Sequence, residues 1–234
     1  MTLKKLVMSG VAAAVLTAGS VNVANAGEIE ANVALSTDYI FRGFTQTNND
    51  PAISGGFDYS LDNGFYAGIW ASNVNFGGDT STEIDVYGGY ATEIAEGVEL
   101  DLGYIYFVYP GDSGGFNYSE FVAGISFGDL GFGLVYSPDY FGSDEDAIIF
   151  NVDYSIGLGE NLSLDLHSGY STVSGDDDFF ATGVDSYIDY SVGLSTAAAG
   201  VDLSLTFHGT DISGSVADAI GAEERVVFSV GKSF

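Results

Sequence analysis

The chain has 234 residues, of which 33 are acidic and only five are basic, so its formal net charge is −28. So acidic a chain cannot neutralise a phosphate backbone, which excludes nucleic acid as a partner, and it is not attracted to anionic lipid surfaces. Cations or positively charged solutes are the partners that its field favours. Cysteine is absent, so disulfides and thiolate metal sites are excluded, and no motif points to a cofactor.

The first 26 residues have the pattern of a secretory signal peptide. Lys4 and Lys5 precede an apolar stretch over residues 6–19, and small residues at the end of the segment supply a cleavage site. The apolar stretch is short for a membrane span, and an uncleaved anchor is the alternative. No later apolar run is long enough for a spanning helix, so any membrane crossing must use strands. We therefore expect a signal peptide over 1–26 and one domain over 27–234.

From residue 28 onward, apolar and polar residues alternate in segments that are bounded by Gly, Asn, Asp or Ser. Alternation at a period of two is the pattern of strands with one apolar face. It predicts twelve strands, at 28–44, 51–61, 65–74, 81–94, 98–109, 116–127, 130–138, 147–156, 162–172, 185–194, 201–210 and 223–234.

The predicted connections alternate strictly between two kinds. Five are short, at 62–64, 95–97, 128–129, 157–161 and 195–200, and six are longer and more polar, at 45–50, 75–80, 110–115, 139–146, 173–184 and 211–222. Tight turns on one rim and long loops on the other are typical of outer-membrane barrels, with the tight turns on the periplasmic side. We therefore predict an all-β fold, a transmembrane antiparallel up-and-down β-barrel of twelve strands. A two-layered sandwich is the alternative, although it gives no reason for this alternation.

The two faces of each strand differ in chemistry. In the fifth strand, Leu100 and Leu102 lie on one face and Glu99 and Asp101 on the other. In a membrane the apolar face meets lipid and the polar face lines the lumen. Aromatic residues near strand ends are expected to form two interfacial belts. One belt is predicted at the long-loop rim (Tyr39, Phe41, Phe76, Tyr106, Tyr109, Phe116, Tyr118, Tyr136, Tyr140 and Tyr170), and one at the short-turn rim (Phe57, Tyr59, Phe65, Tyr66, Phe127, Phe132 and Phe234).

The first three predicted strands carry a recognisable sequence. Residues 36–47 read Ser-Thr-Asp-Tyr-Ile-Phe-Arg-Gly-Phe-Thr-Gln-Thr, residues 50–59 read Asp-Pro-Ala-Ile-Ser-Gly-Gly-Phe-Asp-Tyr, and residues 64–76 read Gly-Phe-Tyr-Ala-Gly-Ile-Trp-Ala-Ser-Asn-Val-Asn-Phe. This sequence resembles the TorF-like family of porins from proteobacterial outer membranes, and the resemblance covers the whole chain after the signal. It implies an outer-membrane β-barrel with channel or uptake activity, and it supplies no agreed substrate or catalytic residues.

The last strand ends in an aromatic residue, as strands read by the barrel-assembly machinery usually do. Phe228, Val230 and Phe234 keep that pattern, whereas Lys232 occupies a position that is usually apolar or aromatic. We expect the machinery to bind this strand, and outer-membrane lipid and lipopolysaccharide to surround the apolar face.

Acidic residues dominate the predicted lumen. The alternation places Asp58, Asp85, Asp101, Asp153, Asp165, Asp189 and Asp202 inside, together with Glu30, Asp38 and Glu99. A narrow lumen lined in this way concentrates cations, which predicts a cation-preferring pore. The simpler interpretation is that a water-filled lumen must be polar.

Arg42 and Arg225 are also predicted to face the lumen, on the first and last strands, which meet where the barrel closes. They are expected to pair with lumen carboxylates such as Asp38. An electrostatic constriction that screens solutes is the alternative.

The remaining polar features carry little chemistry. His167 and His208 lie on strands that are not adjacent, and neither has a second histidine within ligand reach, so we expect neither catalysis nor a metal site. The acidic loops at 142–146 and 175–178 lack the ligand spacing of a Ca²⁺ loop and are expected to be solvated, with a divalent bridge to lipopolysaccharide as the alternative.

Three functions are compatible with these patterns. The first is a channel for passive diffusion or uptake of small hydrophilic solutes, preferably cationic. The second is a surface, adhesion or envelope barrel with a plugged lumen. The third, a lipid-acting enzyme, needs a Ser-His pair on the outward face, where neither histidine is placed.

Overall fold

The computed structural model describes residues 27–111, 115–175, 179–181 and 184–234. The predicted signal peptide over 1–26 lies outside the described residues, as does most of the acidic loop at 175–178. In the described part of the chain, no helix is both long and apolar enough to cross a membrane.

The described residues are almost entirely β-structure. In chain order the strands are β1 (Glu28–Ser36), β2 (Ile40–Phe41), β3 (Phe44–Thr45), β4 (Ala52–Ser60), β5 (Phe65–Asn73), β6 (Thr82–Ala95), β7 (Val98–Val108), β8 (Tyr118–Phe127), β9 (Leu130–Ser137), β10 (Ala147–Gly157), β11 (Leu162–Val173), β12 (Ser186–Ala198), β13 (Val201–Thr210) and β14 (Arg225–Ser233). A 3₁₀ turn at Tyr140–Gly142 and a short helix α1 (Ser215–Ile220) lie in the connections.

Twelve of these strands, β1 and β4 to β14, form one closed antiparallel barrel within the described residues. Each pairs with its neighbour along the chain, and β14 pairs with β1 to close the cylinder, with Leu35 opposite Val230. The prediction of a twelve-stranded up-and-down barrel is therefore confirmed, and the sandwich alternative is wrong. Closure leaves no sheet edge without hydrogen-bond partners, which is the condition for crossing lipid with strands.

The alternation of residue types sets the two faces of the wall. On β13, for example, Leu205 and Phe207 are exposed on the outside while Asp202 and Ser204 lie inside. Large exposed side chains such as Ile29, Phe57 and Phe228 continue this apolar surface around the barrel. In water such a surface would drive association, whereas in a membrane it meets acyl chains.

The first strand is shorter than predicted. β1 ends at Ser36, and residues 37–47 leave the wall and fold back into the barrel as a separate two-stranded sheet of β2 and β3. The predicted strand continued to residue 44 because residues 39–41 and 44 are all apolar and suit a strand, although the alternation itself weakens after Ser36. The physical cause lies in the turn, because Arg42 and Gly43 both have positive φ, at +50° and +86°, as a two-residue type I′ hairpin requires.

One tight connection is shorter than predicted. β12 continues to Ala198, so the turn before β13 consists of Ala199 and Gly200, with φ of +55° and +80°. Residues 197–199 are all alanine and offer no contrast between polar and apolar positions, which is why the predicted strand ended too early at 194.

The aromatic belts are only partly as predicted. At the long-loop rim the exposed members are Phe76, Tyr106, Phe116, Tyr136 and Tyr170. The other members predicted there are buried inside the barrel and contact no lipid: Tyr39, Phe41, Tyr109, Tyr118 and Tyr140. At the short-turn rim, Tyr66 also points inward, where its hydroxyl donates to Asp101 (2.8 Å). Half of the long-loop aromatics therefore fill the lumen, because a folded-in segment gives them a surface to pack against.

Candidate pore and the hairpin inside it

The lumen at the long-loop end is occupied by residues 37–47, which we call the lumen hairpin. Ile40 pairs with Thr45 and Phe41 with Phe44, and the Arg42–Gly43 turn forms the tip. Arg42 occupies the left-handed region at a cost of about 1 kcal/mol. The tip is buried, although it is the part of the hairpin farthest from the β1 wall to which it is attached. The hairpin therefore projects across the barrel.

An ion pair anchors the tip to the far wall. Both terminal nitrogens of Arg42 donate to the carboxylate of Glu120 on β8, at 2.7 and 2.9 Å, and Arg42 also donates to the hydroxyl of Tyr140 (3.2 Å). β8 lies five strands from β1 in one direction around the barrel and seven in the other, so this contact spans the lumen. Burial alone would lower the pKa of Arg42, but the Glu120 carboxylate raises it well above its ordinary value. The two parallel contacts have the bidentate geometry of an arginine–carboxylate ion pair.

Further hydrogen bonds hold the body of the hairpin. The Tyr39 hydroxyl donates to Glu83 on β6 (2.7 Å), and the Tyr187 hydroxyl on β12 donates to the carbonyl of Arg42 (2.9 Å). The backbone N–H of Thr45 donates to the carbonyl of Gly221 (2.9 Å). Two strands of the wall and the connection after α1 thus hold the body of the hairpin in place.

Aromatic rings fill the space around the hairpin. Tyr39 packs edge-on against Trp70 with ring centroids 5.4 Å apart, and Phe44 packs against Tyr187 at 5.0 Å. Phe180, from the connection before β12, contacts the same Tyr187 ring at 4.7 Å. In the short-turn half, by contrast, the inward-facing residues are mainly glycines and polar side chains, among them Tyr66 and Asp101, and fewer of them are buried. The lumen is therefore filled at the long-loop end and polar at the short-turn end.

The predicted lumen residues divide into two groups. Eight lie on the polar face of barrel strands: Asp58, Asp85, Asp101, Asp153, Asp165, Asp189, Asp202 and Arg225. The other two, Asp38 and Arg42, belong to the lumen hairpin and not to the first barrel strand. The predicted pairing of Arg225 with Asp38 is present, at 3.0 Å. Asp38 also accepts hydrogen bonds from the hydroxyls of Thr45 and Thr47, both at 2.7 Å.

Most of the strand carboxylates have hydrogen-bond donors. Asp165 accepts from the hydroxyls of Ser155 (2.7 Å) and Ser195 (2.6 Å). His167 lies between Asp153 and Asp189, with ring nitrogens 2.7 and 3.0 Å from their carboxylate oxygens. In the part of the chain that is described, no group of three His, Cys, Asp or Glu side chains is arranged to hold a metal ion. His167 is thus a hydrogen-bonding residue of the lumen wall.

Glu83 and Glu120 were missed as site residues. Both follow the alternation of their strands, which places them inside, and both are almost completely buried. The alternation predicts that both glutamates point inward. It does not predict their contacts with Tyr39 and Arg42, because the sequence analysis assigned those two residues to the barrel wall.

The fold is that of outer-membrane porins. The NanC porin in a rhombohedral crystal form superposes with a TM-score of 0.55, at 10% sequence identity, over 87% of this chain and 97% of that chain. The KdgM porin superposes with a TM-score of 0.54, at 12% identity, over 88% and 98%. At these identities the likeness concerns the fold alone.

The sequence itself identifies a family. The chain belongs to the Gcw_chp family, described as bacterial protein of unknown function, whose model matches residues 21–234. No curated protein matches the sequence.

Proposed function

We propose that this protein is an outer-membrane channel for the passive diffusion or uptake of small hydrophilic solutes, with a preference for cations. The observation that carries the proposal is a closed barrel with an apolar outer face and an inner face rich in carboxylates. The TorF-like resemblance supports the same function, and the shared porin fold is consistent with it.

The remaining expectations belong to the same proposal. Residues 1–26 act as a signal peptide for export to the outer membrane. Phe228 and Phe234 lie on the outward face of the closing strand, where both are exposed, and the assembly machinery reads them together with Val230. Outer-membrane lipid and lipopolysaccharide then surround the apolar face.

The preference for cations follows from the balance of charge inside the barrel. Residues 27–234 contain two arginines, and each pairs with a carboxylate, Arg42 with Glu120 and Arg225 with Asp38. The carboxylates of Asp58, Asp101 and the other lumen residues therefore determine the electrostatic potential that a permeating ion experiences. Rings of carboxylates favour cations in this way.

Reversal-potential measurements in planar bilayers test the function. The purified protein is expected to conduct, and in asymmetric KCl its reversal potential should have the sign of K⁺ permeation exceeding Cl⁻ permeation. Screening by salt weakens a surface field, so the preference should decrease as the KCl concentration rises. A reversal potential of the opposite sign would rule out cation preference, and a protein that never conducts would rule out the channel.

A second candidate function is a plugged barrel with a surface, adhesion or envelope role. The lumen hairpin favours it, because the long-loop half of the lumen is filled in this conformation. Under the first proposal the hairpin must move for solutes to pass. In a plugged barrel the hairpin stays in the lumen. The natural protein then never conducts, and removal of the hairpin would open the barrel.

A further inference from the structure

A row of four inward-facing side chains crosses one side of the barrel. Trp70 on β5 is the cross-strand partner of Asp85 on β6, Asp85 pairs with Phe107 on β7, and Phe107 pairs with Tyr118 on β8. Directly opposed side chains have Cβ atoms about 4.5–5.5 Å apart, so the four form a continuous surface, which we call the strip. The rings of Phe107 and Tyr118 are stacked with centroids 4.4 Å apart.

The lumen hairpin covers the strip. Tyr39 packs against Trp70, and Phe41 packs against Phe107 with ring centroids 6.0 Å apart. Asp85 is only 1% exposed beneath these rings. A solute in the lumen therefore reaches the strip only when the hairpin moves away from it.

Three side chains of the strip are buried without a hydrogen-bond partner among the described residues. These are the indole N–H of Trp70, both carboxylate oxygens of Asp85 and the hydroxyl of Tyr118. Burial of an unpaired polar group is unfavourable, and burial of an unpaired carboxylate is more so. When the hairpin covers the strip, the polar groups of Trp70, Asp85 and Tyr118 therefore have no hydrogen-bond partner in the described part of the chain, and only another molecule can supply one.

Asp85 also lacks a counter-charge. Arg42 is held by Glu120, and Arg225 is held by Asp38, so both arginines of residues 27–234 are engaged. An ammonium group would supply both the hydrogen bonds and the opposite charge that stabilise a buried carboxylate at this position.

We propose that the strip is a binding site for a small organic ammonium ion that also carries a hydroxyl group, and that binding displaces the lumen hairpin. The ammonium group donates to Asp85, and the neighbouring rings of Trp70 and Phe107 attract organic cations through their π faces. The hydroxyl oxygen accepts from the Trp70 indole. Displacement of Tyr39 removes one of the two tyrosine hydroxyls that bond Glu83, the other being that of Tyr109, and leaves Glu83, two residues from Asp85, as a second carboxylate for the ligand. Because this ligand binds only the displaced state, it shifts the equilibrium toward it. The inference rests on the proposed function, since the ligand enters through the lumen.

Tryptophan fluorescence tests the proposal directly, because Trp70 is the single tryptophan of the chain. Purified protein in detergent is titrated with ethanolammonium chloride, against sodium chloride at matched ionic strength. A saturable change in Trp70 emission is expected with ethanolammonium, and none with sodium chloride or with neutral ethylene glycol. A flat response to ethanolammonium, or an equal response to ethylene glycol, would overturn the proposal.

Two variants locate the binding group. Asp85→Asn is expected to weaken the apparent affinity by about tenfold or more, because a charge-assisted hydrogen bond is lost. Asp62→Asn removes the same charge from the exposed turn after β4, outside the lumen, so it should keep the affinity of the natural protein. Equal affinities in the two variants would contradict the assignment of Asp85.

A reversible cross-link tests the displacement. A Cβ built on Gly221 would lie 3.9 Å from Cβ of Thr45, a separation that suits a disulfide, so Thr45→Cys with Gly221→Cys can be cross-linked in a chain that has no cysteine. The oxidised protein should lose the fluorescence response and the reduced protein should regain it. A response that survives oxidation would overturn the displacement. These measurements need no current, so they remain informative if the bilayer experiment finds no conduction.

Discussion

At the scale of single residues, the contact between Arg42 and Glu120 determines where the lumen hairpin lies. The two side chains are 4% and 1% exposed, and their separation is 2.7 Å. Removing one partner of a buried pair leaves an unpaired buried charge, which typically costs 3–5 kcal/mol. A charged residue in an ordinary protein core can reach water only if the protein unfolds. Arg42 can be hydrated without unfolding of the barrel if the hairpin leaves the lumen. Loss of Glu120 is therefore expected to release the hairpin and to leave the barrel folded.

Glu120→Gln should make Arg42 accessible to trypsin. The substitution keeps the side-chain volume but removes the charge that holds the guanidinium, so the released population is expected to rise by about tenfold or more. Residues 27–234 contain only Arg42, Arg225 and Lys232 as cleavage sites, so a fragment beginning at Gly43 is unambiguous by mass spectrometry.

Asp165→Asn is the matched control for this prediction, since it removes a lumen carboxylate that does not contact the hairpin. Its rate of cleavage after Arg42 should equal that of the natural protein. If Glu120→Gln is cleaved no faster than this control, the ion pair does not hold the hairpin in place.

At the scale of elements, the lumen hairpin is an insertion between two strands that would pair without it. Ser36 and Ala52 are directly opposed at the end of the β1–β4 ladder. A two-residue turn could therefore join them, because a type I′ turn closes such a pair. Thr37 still bonds β14, because its backbone N–H donates to the carbonyl of Phe228 (3.0 Å) and its hydroxyl oxygen accepts from the Phe228 N–H (3.1 Å). The β2–β3 pair adds no rung to the barrel ladder, so the excision should leave the wall closed.

Replacing residues 37–51 by Asn-Gly should leave a folded barrel whose single-channel conductance is severalfold higher than that of the natural protein. The reason is that the excision removes the rings and the ion pair that cross the lumen. Folding is checked by heat-dependent mobility in gel electrophoresis, and conductance is measured in planar bilayers.

Ala199→Asn, which changes the two-residue turn Ala199-Gly200 at the opposite rim to Asn-Gly, is the control for the excision. Those residues already form a two-residue turn with positive φ, so conductance should not change. A natural protein that never conducts, beside an excised variant that does, would favour the plugged barrel. An excised variant that remains closed would show that other connections, such as residues 140–142, block the lumen.

At the scale of the whole molecule, the barrel reverses the arrangement of a water-soluble protein, in which apolar residues lie inside and polar residues outside. Large apolar side chains are exposed on the outside, and carboxylates, hydroxyls and histidines lie inside. This arrangement is stable only where the outer surface is not in contact with water. The aromatic cluster around the hairpin is the exception, because it forms a small conventional core inside the cylinder.

Leu205→Arg should destabilise the protein by about 2–4 kcal/mol, because the outward face of β13 near its midpoint meets the hydrocarbon core. Leu205 is 51% exposed in the absence of lipid, so the effect does not arise from lost packing inside the protein. Reversible unfolding in urea with lipid vesicles gives the free energy of unfolding.

Ser204→Arg places the same side chain one residue away, on the inward face, and serves as the control. Its effect on stability should be clearly smaller, because the lumen is polar. Equal destabilisation by the two substitutions would contradict the assignment of the outer face to lipid.

The sequence by itself determined the twelve strands, their inward and outward faces and the closed barrel, because alternation at a period of two and the turn residues are local signals. It also placed Arg225 near Asp38. Only the tertiary structure decided that residues 37–47 leave the wall, since a segment of strand-forming residues is compatible both with a long strand and with a strand followed by a hairpin. The pairing of Arg42 with Glu120 and the burial of Asp85 beneath Tyr39 and Phe41 depend on that single departure. Contacts across a lumen join residues that are far apart in the chain, and no local pattern encodes them.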